Sequence, residues 1–267
     1  MKIGALIPIR LASERLPGKA LLPICGRPVV HHLLDRVVAA QHIRSPRDVV
    51  VTTTEDPSDD PLVAAVEAYG CSAFRGARDD IIKRFHDAIA QFGFDAVIQV
   101  DGDDPLTETR FMDRTMKRLL GDPSLGIVWS EGLPLGVNCK SFTAAAMRKV
   151  FAHYQSGLND TGFIYFFTKS GLVKTAIEHA DDPADRGPNL RLTLDYPEDF
   201  DVFRRVIEAL YAPGRVFDVR DAIAWLGDRP DIAAHNKKLD EAYWQRTAQK
   251  VKLQFRHPEG DVRLIEF

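Results

Sequence analysis

Short apolar segments alternate with helical patterns through the first hundred residues, and this alternation restricts the fold more than any other feature of the chain. Ile3 to Ile9, Val49 to Thr53 and Ala96 to Val100 are apolar enough to be buried strands. Helical patterns run from Leu62 to Tyr69 and from Ile81 to Phe92, and each ends at a glycine. Because parallel strands need long crossovers, the pattern predicts a three-layer α/β fold with a mostly parallel sheet.

A cationic loop follows the first predicted strand. It supplies Arg10, Ser13, Arg15, Gly18 and Lys19 within ten positions. Arginine and lysine donate hydrogen bonds to phosphate oxygens, and glycine lets backbone amides come close to an anion. Three cations near one another are more often a solvated surface turn, but their ordered spacing after a strand favours a site for a polyphosphate. The common phosphate-binding glycine motifs are absent.

An acidic cluster follows the strand that ends at Val100. Asp101 and Asp103 are two residues apart, a spacing that places both carboxylates on one side of extended backbone. Magnesium is commonly held by one or two carboxylates, with water and substrate phosphates completing the shell. An aspartate-rich turn that closes a strand is the alternative interpretation. Next to a phosphate loop, the cluster predicts a Mg²⁺ site.

Composition limits the class of protein. A net charge of −3 argues against a general nucleic-acid or membrane-surface binder, so neither partner is expected. Cys25, Cys71 and Cys139 form no C-x-x-C pair, and the amino-terminal apolar run is too short for a signal peptide, which together predict a cytoplasmic protein. The length suits a domain over residues 1–230 with a carboxyl-terminal helix and hairpin extension over 231–267.

The order R-x-x-S-x-R-L-P-G-K resembles the signature of sugar nucleotidyltransferases that activate acidic sugars with CTP. The group includes 3-deoxy-manno-octulosonate and acylneuraminate cytidylyltransferases, and the resemblance is closest to spore-coat polysaccharide cytidylyltransferase-like proteins. It implies a Rossmann-like nucleotide-diphospho-sugar transferase fold with a small dimerisation or sugar-side subregion. It also implies CTP and an acidic sugar as substrates, pyrophosphate as a product and a homodimer, with Arg10, Lys19 and Asp103 as catalytic residues.

The same resemblance assigns the metal ligands. The family's G-D-x-P aspartate corresponds to Asp103, and its D-x-P-E-D aspartate corresponds to Asp195, so the two would share one Mg²⁺. Octulosonate synthetases usually carry glutamine where this chain has Asp101, which leaves Asp101 open as either a second carboxylate beside the metal or a substrate contact. Taken without the resemblance, residues 192–199 are a strand followed by a well-made helix start, in which Glu198 and Asp199 are capping residues.

Further residues are assigned to the two substrates. Asp79 and Arg84 lie in a segment that resembles part of the family's nucleotide pocket, although an ion pair between Asp80 and Arg84 explains the pattern equally well. The candidates for the sugar side are Asp101, Asn138, Lys140 and Asp160, and Ser141 is expected to cap the helix that follows it.

Three other functions remain open. Asp101 and Asp103 match the D-x-D pair with which metal-dependent glycosyltransferases hold a nucleotide-sugar donor. A nucleotidyltransferase with another nucleoside triphosphate, or a catalytically idle nucleotide-binding subunit, would also carry the loop. The cationic loop favours a triphosphate substrate over the diphosphate of a nucleotide sugar.

Overall fold

A computed structural model describes residues 1–159, 161–187 and 190–266. The strands are β1 Ile3–Pro8, β2 Pro23–Ile24, β3 Arg27–Pro28, β4 Val49–Thr54, β5 Ser72–Gly76, β6 Ala96–Gln99, β7 Leu125–Glu131, β8 Lys140–Thr143, β9 Lys174–His179, β10 Lys252–Arg256 and β11 Val262–Glu266. The α-helices are α1 Val29–Val38, α2 Asp60–Tyr69, α3 Ile81–Phe92, α4 Thr109–Gly121, α5 Ala144–His153, α6 Tyr165–Thr168, α7 Pro197–Leu210, α8 Val219–Gly227, α9 Pro230–Ala234 and α10 Asp240–Lys250.

A central sheet organises the fold. In the described part of the chain it has seven strands in the order β5-β4-β1-β6-β8-β7-β9. β1 pairs in parallel with β4 on one side and β6 on the other, while β8 runs antiparallel to both β6 and β7. The predicted α/β fold with a mostly parallel sheet is therefore confirmed.

Helices cover both faces of the sheet and create two hydrophobic cores. Alternate residues of β1 face opposite sides, so Ala5 and Ile7 enter one core and Leu6 enters the other. The first core includes buried residues of α1, α2, α4, α7 and α8. The second includes buried residues of α3, α5 and α6, together with Leu253 and Phe255 of β10.

Local signals set the ends of several helices. The Asp80 side chain accepts a hydrogen bond from the Lys83 backbone N–H at 2.9 Å, and Gly93 adopts a left-handed φ of 67°, so α3 begins and ends where the sequence predicts. Pro197 opens α7, and the Asp199 carboxylate accepts a hydrogen bond from the Tyr196 backbone N–H at 2.9 Å. The predicted capping role of Asp199 is confirmed.

Two local predictions are wrong. Ser141 lies inside β8, and Thr143 caps α5 instead, because β8 inserts between β6 and β7 and takes up the residues before the helix. The segment Leu192 to Leu194 is not a strand of the sheet. Its backbone instead follows loop residues, with the Leu192 N–H donating to the Leu135 carbonyl at 2.8 Å and the Leu194 N–H donating to the Asp103 carbonyl at 2.7 Å.

The predicted carboxyl-terminal hairpin is present. β10 and β11 pair antiparallel, and the Gln155 N–H donates to the Gln254 carbonyl at 2.8 Å. This anchors the hairpin on the second core. Across the described ranges, every helix is too short or too polar to cross a lipid bilayer.

Candidate active site

A cleft of about 950 Å³ opens at the carboxyl ends of β1 and β6. Ligands of α/β proteins bind at such strand ends, and this volume lies at the upper end of the usual range for small-molecule pockets. The predicted site residues that line it are Arg10, Ser13, Arg15, Lys19, Asp79, Arg84, Asp101, Asp103, Asn138, Lys140 and Asp195. Residues from distant parts of the sequence therefore meet in one cleft.

The cationic loop after β1 is tied into a fixed shape. The Leu11 N–H donates to the Asp59 carboxylate at 2.7 Å, and the Gly18 N–H returns to the Leu11 carbonyl at 3.2 Å. Gly18 itself has a φ of 66°, a left-handed conformation that suits glycine. Ser13 Oγ accepts a hydrogen bond from the Leu16 N–H at 3.4 Å. These hydrogen bonds close the loop on itself.

Lys19 joins the loop to both predicted metal ligands. Its Nζ lies 3.2 Å from Asp103 Oδ2, 3.0 Å from Asp195 Oδ1 and 2.6 Å from the Leu194 carbonyl oxygen. Burial disfavours the charged ammonium, but the charges of Asp103 and Asp195 outweigh it and raise the pKa of Lys19. Lys19 is therefore a fixed cation between two carboxylates.

Asp195 is buried among cations. Its Oδ1 also accepts a hydrogen bond from Arg15 Nη2 at 2.5 Å, and its Oδ2 lies 3.5 Å from Arg191 Nη2. The Arg191 side chain is fully buried, and its Nε donates to Asp199 Oδ1 at 2.8 Å. Arg191 thus supports the aspartate from behind, while Arg15 and Lys19 contact it from the cleft.

Asp101 and Asp103, which follow β6, contact different partners. Asp101 Oδ2 accepts a hydrogen bond from Lys140 Nζ at 2.6 Å, and Asp101 Oδ1 accepts one from Gln99 Nε2 at 2.9 Å. Asp103 is instead turned toward Lys19. Burial raises and the Lys19 ammonium lowers the pKa of Asp103, and the net direction is downward. The D-x-D spacing therefore does not bring the two carboxylates onto one partner.

Asp104 was not among the predicted site residues, although it belongs to the same acidic run. It is 6% exposed, and among the described residues its Oδ1 has no hydrogen-bond partner. Burial, with the charges of Asp103 and Asp101, raises the pKa of Asp104 well above its usual value. An excess of carboxylate oxygens with one unpartnered atom is an environment that a hard divalent cation would stabilise. These residues therefore fit Mg²⁺.

A second acidic group lies outside the cleft. Within the described ranges, His257, Glu259 and Asp261 are the residues that bring three metal-type ligand atoms within 4.8 Å of one another. They lie in and beside the turn between β10 and β11, and Glu259 and Asp261 are exposed. Exposed acidic turns of this kind are common without a metal, so we assign no site there.

Four further predicted residues have defined positions. Arg10 Nη1 lies 3.0 Å from Asp79 Oδ1, and the buried Arg84 donates to the Arg78 carbonyl at 3.5 Å. The Asn138 amide donates to the Pro134 carbonyl at 3.4 Å. Asp160 lies outside the described residues.

Helix α10 contributes to the cleft, which the sequence did not suggest. Tyr243, Trp244, Arg246, Thr247 and Lys250 all line it. Burial, followed by the charges of Asp103 and Asp104, raises the pKa of the Tyr243 phenol. The spacing 243, 246, 247 and 250 was a signal in the sequence, because it places one polar stripe along a helix.

Comparisons with known proteins agree on one family. Residues 4–145 match the model of a family described as cytidylyltransferase. A 3-deoxy-manno-octulosonate cytidylyltransferase from Geotalea uraniireducens is 36% identical over 127 residues, which are 47% of this chain and 48% of that protein. The match thus spans about half the length of that relative. The spore coat polysaccharide biosynthesis protein SpsF from Bacillus subtilis is 26% identical over 86% of this chain and 89% of its own.

A solved structure extends the likeness to the fold. The structure of a cytidylyltransferase from Leptospira borgpetersenii superposes with a TM-score of 0.77 and 25% identity, covering 87% of this chain and 97% of that one. The family match ends at residue 145, whereas this structural likeness reaches across most of the chain.

Proposed function

The chain belongs to the cytidylyltransferase family, and on that premise we propose that it transfers the cytidylyl group of CTP to an acidic sugar with release of pyrophosphate. The family makes it a nucleotidyltransferase. The acceptor in this proposal is a ulosonic or nonulosonic acid. The names of the octulosonate and spore coat relatives support an acidic sugar and a surface polysaccharide. Lipopolysaccharide is the polysaccharide of this proposal.

One observation carries the proposal: the position of Lys19. Its ammonium joins the cationic loop to Asp103 and Asp195 at the edge of a cleft large enough for a nucleotide and a sugar. Asp103 and Asp195 lie beside Lys19 and Arg15. The lysine and arginine would bind negative phosphates, and the two carboxylates would bind the metal cation that neutralises those phosphates.

In the proposed reaction, a hydroxyl oxygen of the sugar acid attacks the α-phosphorus of CTP. The bond from that phosphorus to the bridging oxygen breaks, pyrophosphate leaves, and the hydroxyl proton passes to water. Arg10, Arg15 and Lys19 stabilise the negative charge that grows on the leaving phosphates. Ser13 and Gly18 shape the loop around them, and Asp79 and Arg84 border the nucleotide side.

The carboxylates of Asp103 and Asp195 are the proposed Mg²⁺ ligands, and Asp101, Asn138, Lys140 and Asp160 are proposed for the sugar. A bound Mg²⁺ would supply Lewis-acid stabilisation of the phosphate charge. Asp104 adds a further oxygen to this acidic end of the cleft. Lys140 lines the cleft, and its ammonium lies 2.6 Å from the Asp101 carboxylate. We propose that the same ammonium binds the carboxylate of the sugar.

The decisive experiment measures pyrophosphate release from CTP with a panel of ulosonic and nonulosonic acids. We expect release that depends on one sugar acid and on Mg²⁺, with a CMP-sugar as the second product. Replacing CTP by UTP, ATP or GTP in the same assay tests the nucleotide. Release from another triphosphate alone would overturn the choice of CTP, and cleavage of a nucleotide sugar without pyrophosphate release would indicate a glycosyltransferase.

We also propose a homodimer. β11 exposes Val262 and Leu264, each about half accessible, on the hairpin. Pairing of such a hairpin with a second copy would cover them. Sedimentation at several protein concentrations would measure the mass in solution, and a monomer throughout would contradict this part of the proposal.

A further inference from the structure

Helix α10 turns a polar stripe toward the cleft. Tyr243, Arg246, Thr247 and Lys250 recur at the spacing of one helical face, and all four line the cleft. A helix that packs on a core carries buried apolar residues at such positions, but α10 has no buried residue. The face of α10 that carries this stripe therefore borders the part of the cleft that a ligand would occupy.

Both ends of α10 are fixed. At its start, Asp240 lies 3.6 Å from Nη1 of the buried Arg191, whose guanidinium also lies 5.1 Å from the centre of the Tyr243 ring. At its end, Val251 is 1% exposed, and β10 follows at once on the second core. The helix is thus anchored at both ends, and its stripe has a defined position.

Cations from two elements converge between α10 and the cationic loop. Arg246 Nη2 lies 2.8 Å from Oε2 of Glu14, a loop residue whose side chain is 79% exposed. The Arg246 hydrogen bond and charge, and then the charges of Lys250 and Arg10, lower the pKa of Glu14. An exposed ion pair of this kind contributes little to stability, so a ligand with several negative charges can displace it.

We propose that Arg246 and Lys250 bind the terminal phosphates of the nucleoside triphosphate together with Arg10, and that these phosphates take the place of the Glu14 carboxylate on Arg246. This inference rests on the proposed function, because it assigns the leaving pyrophosphate of that reaction. A sugar carboxylate carries a single charge, whereas three converging cations match a polyanion. The extension after residue 230 then completes the phosphate site.

The test measures the affinity of the full chain for inorganic tripolyphosphate by calorimetry, with and without Mg²⁺. Arg246→Gln should weaken binding roughly tenfold, the loss expected for one charged hydrogen bond, and Lys250→Gln should weaken it by a smaller factor. Glu14→Gln should tighten binding severalfold, because it removes a competing negative charge. Lys252→Gln changes an exposed lysine outside the cleft and should have no effect.

The opposite signs at positions 14 and 246 separate a phosphate site from a structural ion pair. If the pair were only structural, both variants would change affinity and melting temperature in the same direction, and the proposal would be overturned. Unchanged tripolyphosphate affinity in Arg246→Gln would also overturn it, as would an effect of that variant on the KM of the sugar acid alone. If these affinities change as expected but CTP is not turned over, the proposed function fails and the phosphate site stands.

Discussion

Lys19 contacts two carboxylates that lie 84 and 176 positions further along the chain, and its removal has a direct consequence. We expect Lys19→Ala to lower turnover by roughly 10²-fold or more, because the reaction would lose one fixed electrophilic donor. Steady-state pyrophosphate release measures the effect, with Lys252→Ala as the matched lysine control. Near-normal turnover in a variant with an unchanged circular dichroism spectrum would remove Lys19 from the mechanism.

Asp103 is the proposed metal ligand that also has a depressed pKa. Asp103→Asn keeps the shape of the side chain and removes its charge, so we expect loss of metal-dependent activity. A titration of activity against Mg²⁺ concentration makes the measurement, and Asp56→Asn, an exposed aspartate outside the cleft, is the control. An unchanged Mg²⁺ dependence would contradict the assignment.

At the scale of the elements, the position of the segment before Asp195 requires a glycine at position 136, in the loop that this segment contacts. Gly136 has a φ of 88°, and a Cβ there would lie 2.0 Å from the Leu192 carbonyl oxygen. Gly136→Ala should therefore push the segment that carries Asp195 away and lower the free energy of unfolding by about 2 kcal/mol or more. Gly121→Ala, where a Cβ would meet nothing within 4 Å, is the control. Urea denaturation compares the two, and equal stabilities would disprove the steric argument.

A buried carboxylate links α4 to α8 and predicts a pH dependence. Asp185, 1% exposed, accepts hydrogen bonds from Arg110 of α4 at 2.7 Å and Arg220 of α8 at 2.8 Å. The Arg220 hydrogen bond is the main cause that lowers the pKa of Asp185 from 3.8 to about 2. The stabilisation, about 2 kcal/mol, is therefore present above pH 4 and is lost as the pH falls toward 2.

Urea denaturation of the protein and of Asp185→Asn tests this sign. At pH 7 the variant should unfold at a lower urea concentration, and the difference should shrink as the pH falls from 4 to 2. A difference that stays constant over this range would show that the Asp185 charge is not responsible.

At the scale of the whole molecule, the proposed boundary at residue 230 can be tested through the hairpin. Leu253 of β10 is fully buried in the second core beside residues of α3 and α5. Leu253→Ala should lower the free energy of unfolding by about 2 to 5 kcal/mol, whereas the exposed neighbour Gln254→Ala should change it little. Calorimetry should show a single transition in both, and two separate transitions would indicate that residues 231–267 fold independently.

The sequence predicted those features that local patterns determine. Asp80 and Gly93 delimit α3, and the ends of parallel strands bring Lys19 and Asp103 together. It could not predict that β8 would insert antiparallel and take Ser141 into the sheet, because strand order depends on distant pairing. The sequence did predict a carboxyl-terminal helix, but not its place in the cleft, because the polar stripe of α10 is typical of a solvent-exposed helix.

The contact between Lys19 and Asp195 joins residues 176 positions apart in the chain. A ribosome adds roughly 5 to 20 residues per second, so Lys19 leaves it on the order of ten seconds or more before Asp195 is made. Asp103 emerges between them, and α10 emerges after both. The newly made amino-terminal part therefore carries a cationic loop without its second carboxylate, and the cleft is complete only after α10 has been made.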